Sequence, residues 1–280
     1  MLEKIEKIPE NSLKSSAEGK KLVFCDAHFH YAVCKDFQPD LEVDWKGLSC
    51  AHSFEEWKLQ LGAAENVGKA FGLHPQACAQ ADFAIKKYAD FLEELLRARQ
   101  TAVAKGKEPI LKAIGEAGFD YFTPAFREKA DLQEEMWNIQ LELALQYKMP
   151  LVIHCRKANE KLFEYASRLK KVPAVLFHSF MGSLLEAESL IRRGIPSFFS
   201  FGKQMKKGNK KVIECVRGLP LETLLLETDA PFQTLRGEAF TRAGEIELVY
   251  QAAASLRNES IEELCLQFER NFNNFICVIF

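Results

Sequence analysis

Residues 149–180, MPLVIHCRKANEKLFEYASRLKKVPAVLFHSF, contain one complete structural unit. Leu151, Val152 and Ile153 form an apolar run that stops at His154. Apolar residues then recur at helical spacing over 158–169, and a second apolar run over 174–178 stops at His178. Two short apolar runs joined by an amphipathic segment are the pattern of parallel strands linked by a crossover helix. The same pattern extends in both directions. Further runs at 22–26, 47–51, 69–73, 110–115, 196–201 and 224–227 bring the strands to eight, with helical spacing clearest at 83–96, 133–147, 184–193 and 245–256. Eight such units predict an α/β fold, a TIM-type (β/α)8 barrel. The first unit is cramped. Roughly 15 residues, with Pro39, Asp40, Glu42 and Asp44 among them, separate His30 from the second strand. A crossover usually needs a dozen or more residues including its helix, so the barrel is expected to be distorted, with its first outer helix missing or vestigial. Residues 1–21 read as a polar N-terminal extension, 22–280 as a single barrel domain, and 97–109 as an exposed helix end and loop.

Hydrophobic residues at 48% and charged residues at 27% exclude extensive disorder. Lys and Arg total 37 against 39 Asp and Glu, a net charge of -2, so no global positive field draws in polyanions and any such contact is local. The apolar runs fall far short of the ~20 residues that span a bilayer. Residues 1–21 lack the apolar stretch and cleavage site of a secretory signal. The eight cysteines include no C-x-x-C pair and read as reduced thiols. The expectation is a cytoplasmic monomer with no membrane partner.

Five of the six histidines, His28, His30, His74, His154 and His178, fall at or just past the ends of expected strands, the face where barrel side chains converge. If period two persists, Asp26, His28 and His30 share one face. Glu116 ends the fourth run, and Glu227 and Asp229 follow the eighth. Imidazoles with carboxylates suit zinc or another transition ion. A carboxylate midway round the barrel can bridge two cations, and an Asp that meets both a cation and a water can take the water's proton. Spacing thus singles out His28, His30, Glu116, His154, His178 and Asp229 as metal candidates, with Glu116 and Asp229 also catalytic candidates. The plainer reading makes the histidines satisfied core residues, Asp229 a helix N-cap and Glu116 a surface acid. Four imidazoles in one mouth weigh against it, because each needs a partner. Lys203, Lys206, Lys207, Lys210 and Lys211 crowd after the seventh strand, a candidate contact for a phosphate backbone or else a solvated loop. Phe29, Phe180 and Phe232 lie near the metal candidates and are either base-stacking rings or core.

The strings CDAHFH (25–30), GLHP (72–75), AIGEAGFDY (113–121), VIHCR (152–156), VLFHSFMG (175–182) and LLETDAP (225–231) resemble, in order, the TatD family of metal-dependent hydrolases. The resemblance implies a two-metal site in which His28 and His30 hold one divalent ion, His154 and His178 the other, Glu116 bridges them and Asp229 joins the first. It implies outer roles for Asp26, Asp120 and Glu227 in orienting ligands or water, and substrate-side roles for His74 and Arg156. The activity implied is hydrolysis of DNA phosphodiester bonds, as an exonuclease, by a metal-activated water, with RNA as a further candidate substrate. Zinc, magnesium and manganese all suit the donors. Two features depart from the family: Gln76 replaces a frequent second histidine, and Thr241-Arg242-Ala243-Gly244 stands where an Arg-Asn-x-Pro element is common. Other readings remain open on the same residues: an ester or amide hydrolase such as an aminoacyl-tRNA deacylase, a catalytically silent metal-binding scaffold, and a bridge formed by modified Lys112 rather than Glu116.

Overall fold

The computed structural model describes residues 22–34, 44–80 and 82–277. The described residues form eight strands, β1 (Val23–Phe29), β2 (Asp44–Ala51), β3 (Val67–Phe71), β4 (Leu111–Asp120), β5 (Leu151–Arg156), β6 (Val175–Phe177), β7 (Ser197–Phe201) and β8 (Leu224–Leu226). All neighbours pair in parallel in the order β1 to β8. Beyond β8 the chain closes the ring onto β1: Asp229 N–H donates to His28 O at 2.9 Å and His30 N–H to Ala230 O at 2.8 Å. The helices are α1 (Phe54–Gln60), α2 (Ile85–Ala104), α3 (Pro124–Arg127), α4 (Ala130–Tyr147), α5 (Asn159–Glu164), α6 (Ala166–Leu169), α7 (Leu184–Arg192), α8 (Lys210–Gly218), α9 (Ile246–Arg257) and α10 (Ile261–Ile276).

The expected strands are all present, and between β1 and β2 the described residues hold only a three-ten turn, Tyr31–Val33. Pro39, Asp40 and Glu42, like the extension 1–21, lie outside the described residues. The segment 97–109 is a helix end and loop as expected, with α2 running to Ala104, whereas the helix expected over 158–169 is divided at Tyr165.

β4 continues five residues past the expected end at Gly115, so Glu116 lies within a strand rather than at its end. Its pairing with β5 advances three residues, Ile114 to Ala117, against two, Leu151 to Ile153. That extra residue is a bulge, which bends a strand and re-aims a side chain. β1 has a comparable irregularity between Asp26 and Phe29, yet its two histidines still turn to one point, their Nε2 atoms 3.2 Å apart. Past the bulge, Gly118 has φ +137°, and a Cβ there would run into the carbonyl oxygen of His154.

Buried amides fasten the strand ends to the helices. Gln133 of α4 accepts from Asp120 N–H at 2.8 Å and donates to Asp120 O at 3.0 Å. Gln140 of α4 makes the equivalent pair with Leu73, at 2.8 and 3.0 Å, fixing the residue before His74. Gln60 of α1 accepts from Ser49 Oγ of β2 at 2.8 Å and donates to Ala70 O of β3 at 3.0 Å. These contacts satisfy backbone or hydroxyl groups that burial would otherwise leave unpaired.

Gly118→Ala is expected to cost at least ~2 kcal/mol, because the backbone there disfavours an L side chain and has no room for one. For a domain of this size the melting temperature falls by roughly 5 °C or more. An unchanged thermal melt contradicts this account of β4.

Candidate metal centre

The parallel strands bring every imidazole of the chain to one carboxylate. Glu116, only 1% exposed, projects from the β4 bulge into the mouth of the barrel. Its Oε1 lies 3.3 Å from His28 Nε2, 3.5 Å from His30 Nε2 and 3.0 Å from His52 Nε2. Its Oε2 lies 2.5 Å from His178 Nε2, 3.2 Å from His154 Nδ1 and 3.8 Å from His74 Nε2. Asp229, in the left-handed region at φ +53°, places Oδ1 3.6 Å from His28 Nε2 and 3.4 Å from His30 Nε2.

The spacing fits cations. Donors ~2.1 Å from one ion lie ~3.0 to 3.4 Å from one another in octahedral or tetrahedral arrangements. His28 Nε2 and His30 Nε2 are 3.2 Å apart, and His154 Nδ1 and His178 Nε2 are 3.1 Å apart. Glu116 Oε1, His52 Nε2 and His178 Nδ1 are buried with no hydrogen-bond partner in good geometry. Among the described residues three groupings could hold an ion: His28, His30 and Glu116; His28, His178 and Asp229; and His74, Glu116 and His154.

The charge balance follows from burial and proximity. Burial pushes Glu116 up, but the imidazoles of His178 and His28 outweigh it and hold the carboxyl well below its usual range. His28, buried beside His178, falls to about 4. Burial also pulls His30 down, yet its hydrogen bond to Asp229 and the charge of Glu116 prevail and raise it to about 9. His178 likewise reaches about 9, because Glu116 overcomes burial. Burial lowers His74 well below the ordinary value, and its Nδ1 accepts from Gln76 N–H at 3.2 Å.

Around this ring the other expected residues take distinct places. Asp120 Oδ2 meets His154 Nε2 at 3.2 Å and accepts from Gln76 Nε2 at 2.6 Å. Gln76 therefore supports an outer carboxylate. Glu227 accepts from Ser179 at 2.7 Å and Ser200 at 2.5 Å and sits 3.9 Å from His178 Nδ1. Asp26 does not touch the imidazoles. Its carboxylate accepts from Thr228 N–H at 2.9 Å and Thr228 Oγ1 at 2.6 Å, tying β1 to the segment after β8, and burial raises it to about 8. Neither plain alternative holds: Glu116 is buried, and Asp229 caps no helix.

Lys203 is a correction. It is fully buried, and its Nζ donates to Glu238 at 2.6 Å and Glu245 at 2.7 Å, which fastens the loops after β7 and β8 and leaves no cation for a substrate. Lys206 and Lys207 are exposed, and Lys207 lines the cleft with His74 and Arg156. Lys210 and Lys211 are exposed in the first turn of α8. Lys112, the alternative bridge, pairs instead with Glu108, four residues before β4's Lys112. Phe29 and Phe180 are core at 0% and 4% exposure, whereas Phe232 is 54% exposed at the cleft.

The sequence reading missed His52. It follows β2 directly, as His30 follows β1 and His178 follows β6, and that position was its one available signal. Its ring packs 5.2 Å from His30 and 4.7 Å from His74. Cys50 was also missed: its Sγ lies 3.3 Å from His28 Nδ1, on the side of the ring away from Glu116.

The family model for TatD-related DNases matches residues 25–276. An uncharacterised metal-dependent hydrolase of Escherichia coli, YjjV, is 30% identical over 261 residues, covering 86% of this chain and 93% of its own. The crystal structure of that protein superimposes with a TM-score of 0.74 at 25% identity, over 91% of this chain and 98% of that one. The 3'-5' ssDNA/RNA exonuclease TatD of Erwinia amylovora is 30% identical over 172 residues, 59% of this chain and 66% of its own.

Lys203→Met is expected to destabilise the fold by about 2–3 kcal/mol, less than the roughly 3–5 kcal/mol of a fully buried broken pair because both glutamates keep some solvent. Lys206→Ala and Lys207→Ala should each stay within ~0.5 kcal/mol of the parent. Urea denaturation distinguishes them, and equal midpoints for all three contradict a structural role for Lys203.

Proposed function

The chain belongs to the TatD-related DNase family, and we propose that it is a divalent-metal-dependent exonuclease that hydrolyses DNA phosphodiester bonds, with RNA as a further substrate. One observation carries this reading: a single buried carboxylate has imidazole pairs of matching spacing on both of its oxygens. His28, His30, Asp229 and Glu116 Oε1 would hold one ion, and His154, His178 and Glu116 Oε2 the other. We assign the chemistry to one barrel domain, residues 22–280. Retention of all six residues in one cluster argues against a silent scaffold. The cleft of about 820 Å³ is near the upper end for ligand pockets and favours a polymer over a small ester.

Two divalent cations, when bound by these residues, would supply Lewis acidity, lowering the pKa of water and offsetting charge that develops on the phosphate. The chain's residues do the rest. Asp229, whose carboxyl is held low chiefly by its hydrogen bond to His30 against the effect of burial, accepts the proton of the attacking water. The water oxygen bonds to phosphorus in line as the bond to the leaving sugar oxygen breaks, and that oxygen takes a proton from solvent while Asp229 releases its own to solvent. Gln233 donates to Asp229 Oδ2 at 3.3 Å and to Glu227 at 3.0 Å, orienting the acceptor. Asp120 fixes the His154 ring, an outer contact that metal sites depend on. His74, neutral with Nδ1 already used as an acceptor, offers Nε2–H to a phosphate oxygen. Arg156, Lys206 and Lys207 supply local positive charge along the strand. Among the described residues no helix is long and apolar enough to cross a membrane. All eight cysteines are free thiols, which fits the reducing cytoplasm, and one chain supplies the whole site, which fits a monomer.

Asp229→Ala should lower the rate of metal-dependent degradation of end-labelled single-stranded DNA by at least ~100-fold. Retention of near-parental activity overturns its role as proton acceptor, and activity in excess chelator overturns the metal dependence.

Cation affinity should depend on pH in a defined direction. His30 and His178 at about 9 carry protons at pH 7, and an ion takes only neutral imidazoles. Apparent affinity therefore rises from pH 6 through about 9, where those protons are half lost, and levels only above it. Titration calorimetry in buffers of different ionisation enthalpy should record proton release at pH 7. Buffer-independent enthalpies contradict this assignment.

A further inference from the structure

Two flat groups stand on opposite sides of the barrel mouth, and the chemistry proposed above uses the plane of neither. Phe232 follows the segment that closes β8 onto β1. It is 54% exposed, lines the cleft and packs 5.2 Å from the His30 ring. Its position is fixed by backbone bonds: Phe232 N–H donates to Asp229 O at 2.7 Å, and Thr241 N–H to Pro231 O at 2.9 Å. A lone exposed phenylalanine needs no explanation. One held rigidly beside the proposed cation ligands, with a face open to the cleft, is a platform for a flat ligand.

The second group stands across the ring, where β4 and β5 pair, opposite the β8 and β1 seam in an eight-membered order. Arg156 ends β5 and lines the cleft, with its guanidinium carbon 3.5 Å from the centroid of the Phe122 ring. Tyr121 N–H donates to Arg156 O at 2.8 Å and Phe122 N–H to Asp120 Oδ1 at 2.8 Å, so both backbones are tied. Among the described residues no carboxylate pairs with Arg156. Stacking on Phe122 holds the guanidinium flat, leaving its edge for phosphate and its outer plane for a second ring.

We propose that Phe232 and the Arg156–Phe122 stack are two nucleobase subsites that receive the unpaired bases on either side of the scissile phosphate. This rests on the nuclease reading above. The residues proposed to hold the cations lie between the two planes, His30 beside Phe232 and His154 two residues before Arg156 on β5, so a phosphodiester held there would direct its flanking bases apart, one to each side. Bases paired in a duplex cannot separate in this way, so the subsites select single-stranded ends. Stacking accepts any base, because every base has a π-face, and the enzyme should show little sequence preference.

The test crosses protein and substrate changes. Single-stranded oligonucleotides carry an abasic sugar on the 5′ or the 3′ side of the cleaved bond, and kcat/KM is measured with saturating metal. In the parent each abasic position should slow cleavage by roughly 5- to 100-fold. Phe232→Ala should reproduce one of these losses, become indifferent to removal of that same base and remain sensitive to the other. Arg156→Lys, which keeps the charge without the plane, and Phe122→Ala should give the complementary pattern. Phe232→Trp should restore the response that Phe232→Ala removes. If every variant keeps the parent's response to both abasic positions, the subsites are overturned while the nuclease reading stands. If the parent binds cations but cuts no oligonucleotide, the nuclease reading fails and the subsites with it.

Discussion

Glu116 is a carboxylate buried to 1% exposure with all six histidines of the chain within 3.8 Å of its oxygens. An ionised carboxylate in such a place is costly unless positive charge and hydrogen bonds compensate it. Much of the local structure supplies or supports that compensation. The β4 bulge aims Glu116 inward, Gly118 lets β4 approach His154, and β1 brings two imidazoles to one point. Gln133 and Gln140 hold the surrounding strand ends from the outside.

The imidazoles are not equivalent, and the difference is electrostatic. His28 is pushed toward neutrality while His30 and His178 are drawn toward protonation, although all three are buried. Without cations, protons on the rings do part of the work of balancing Glu116 and Asp229. Cations of higher charge would replace those protons, and the donor spacings of 3.1 to 3.2 Å within each histidine pair suit such an exchange. Asp26 stands apart from this exchange. Held by Thr228, it fastens the seam where the barrel closes.

The architecture was legible because strands buried on both faces leave short continuous apolar runs, as in Leu151 to Ile153 and Val175 to Phe177. The six metal candidates were legible because each run ends abruptly in a polar side chain. The extension of β4 was not, since Gly115, Glu116, Gly118 and Asp120 are poor strand formers and tertiary contacts such as Gln133 sustain the strand there. His52 was hidden behind a weakly apolar run and belongs to none of the recognised motifs. Lys203 looked like its neighbours because its partners, Glu238 and Glu245, are 35 and 42 residues away. A charge run shows how many cations are present but not which of them the fold has already consumed.

The central claim is that one buried carboxylate separates two cation positions. Anomalous diffraction from crystals loaded with manganese or zinc, collected at the edge of the metal, tests it most directly. The account predicts two peaks, one beside each oxygen of Glu116, with His28, His30 and Asp229 around the first and His154 and His178 around the second. A single peak, or peaks removed from Glu116, would contradict it.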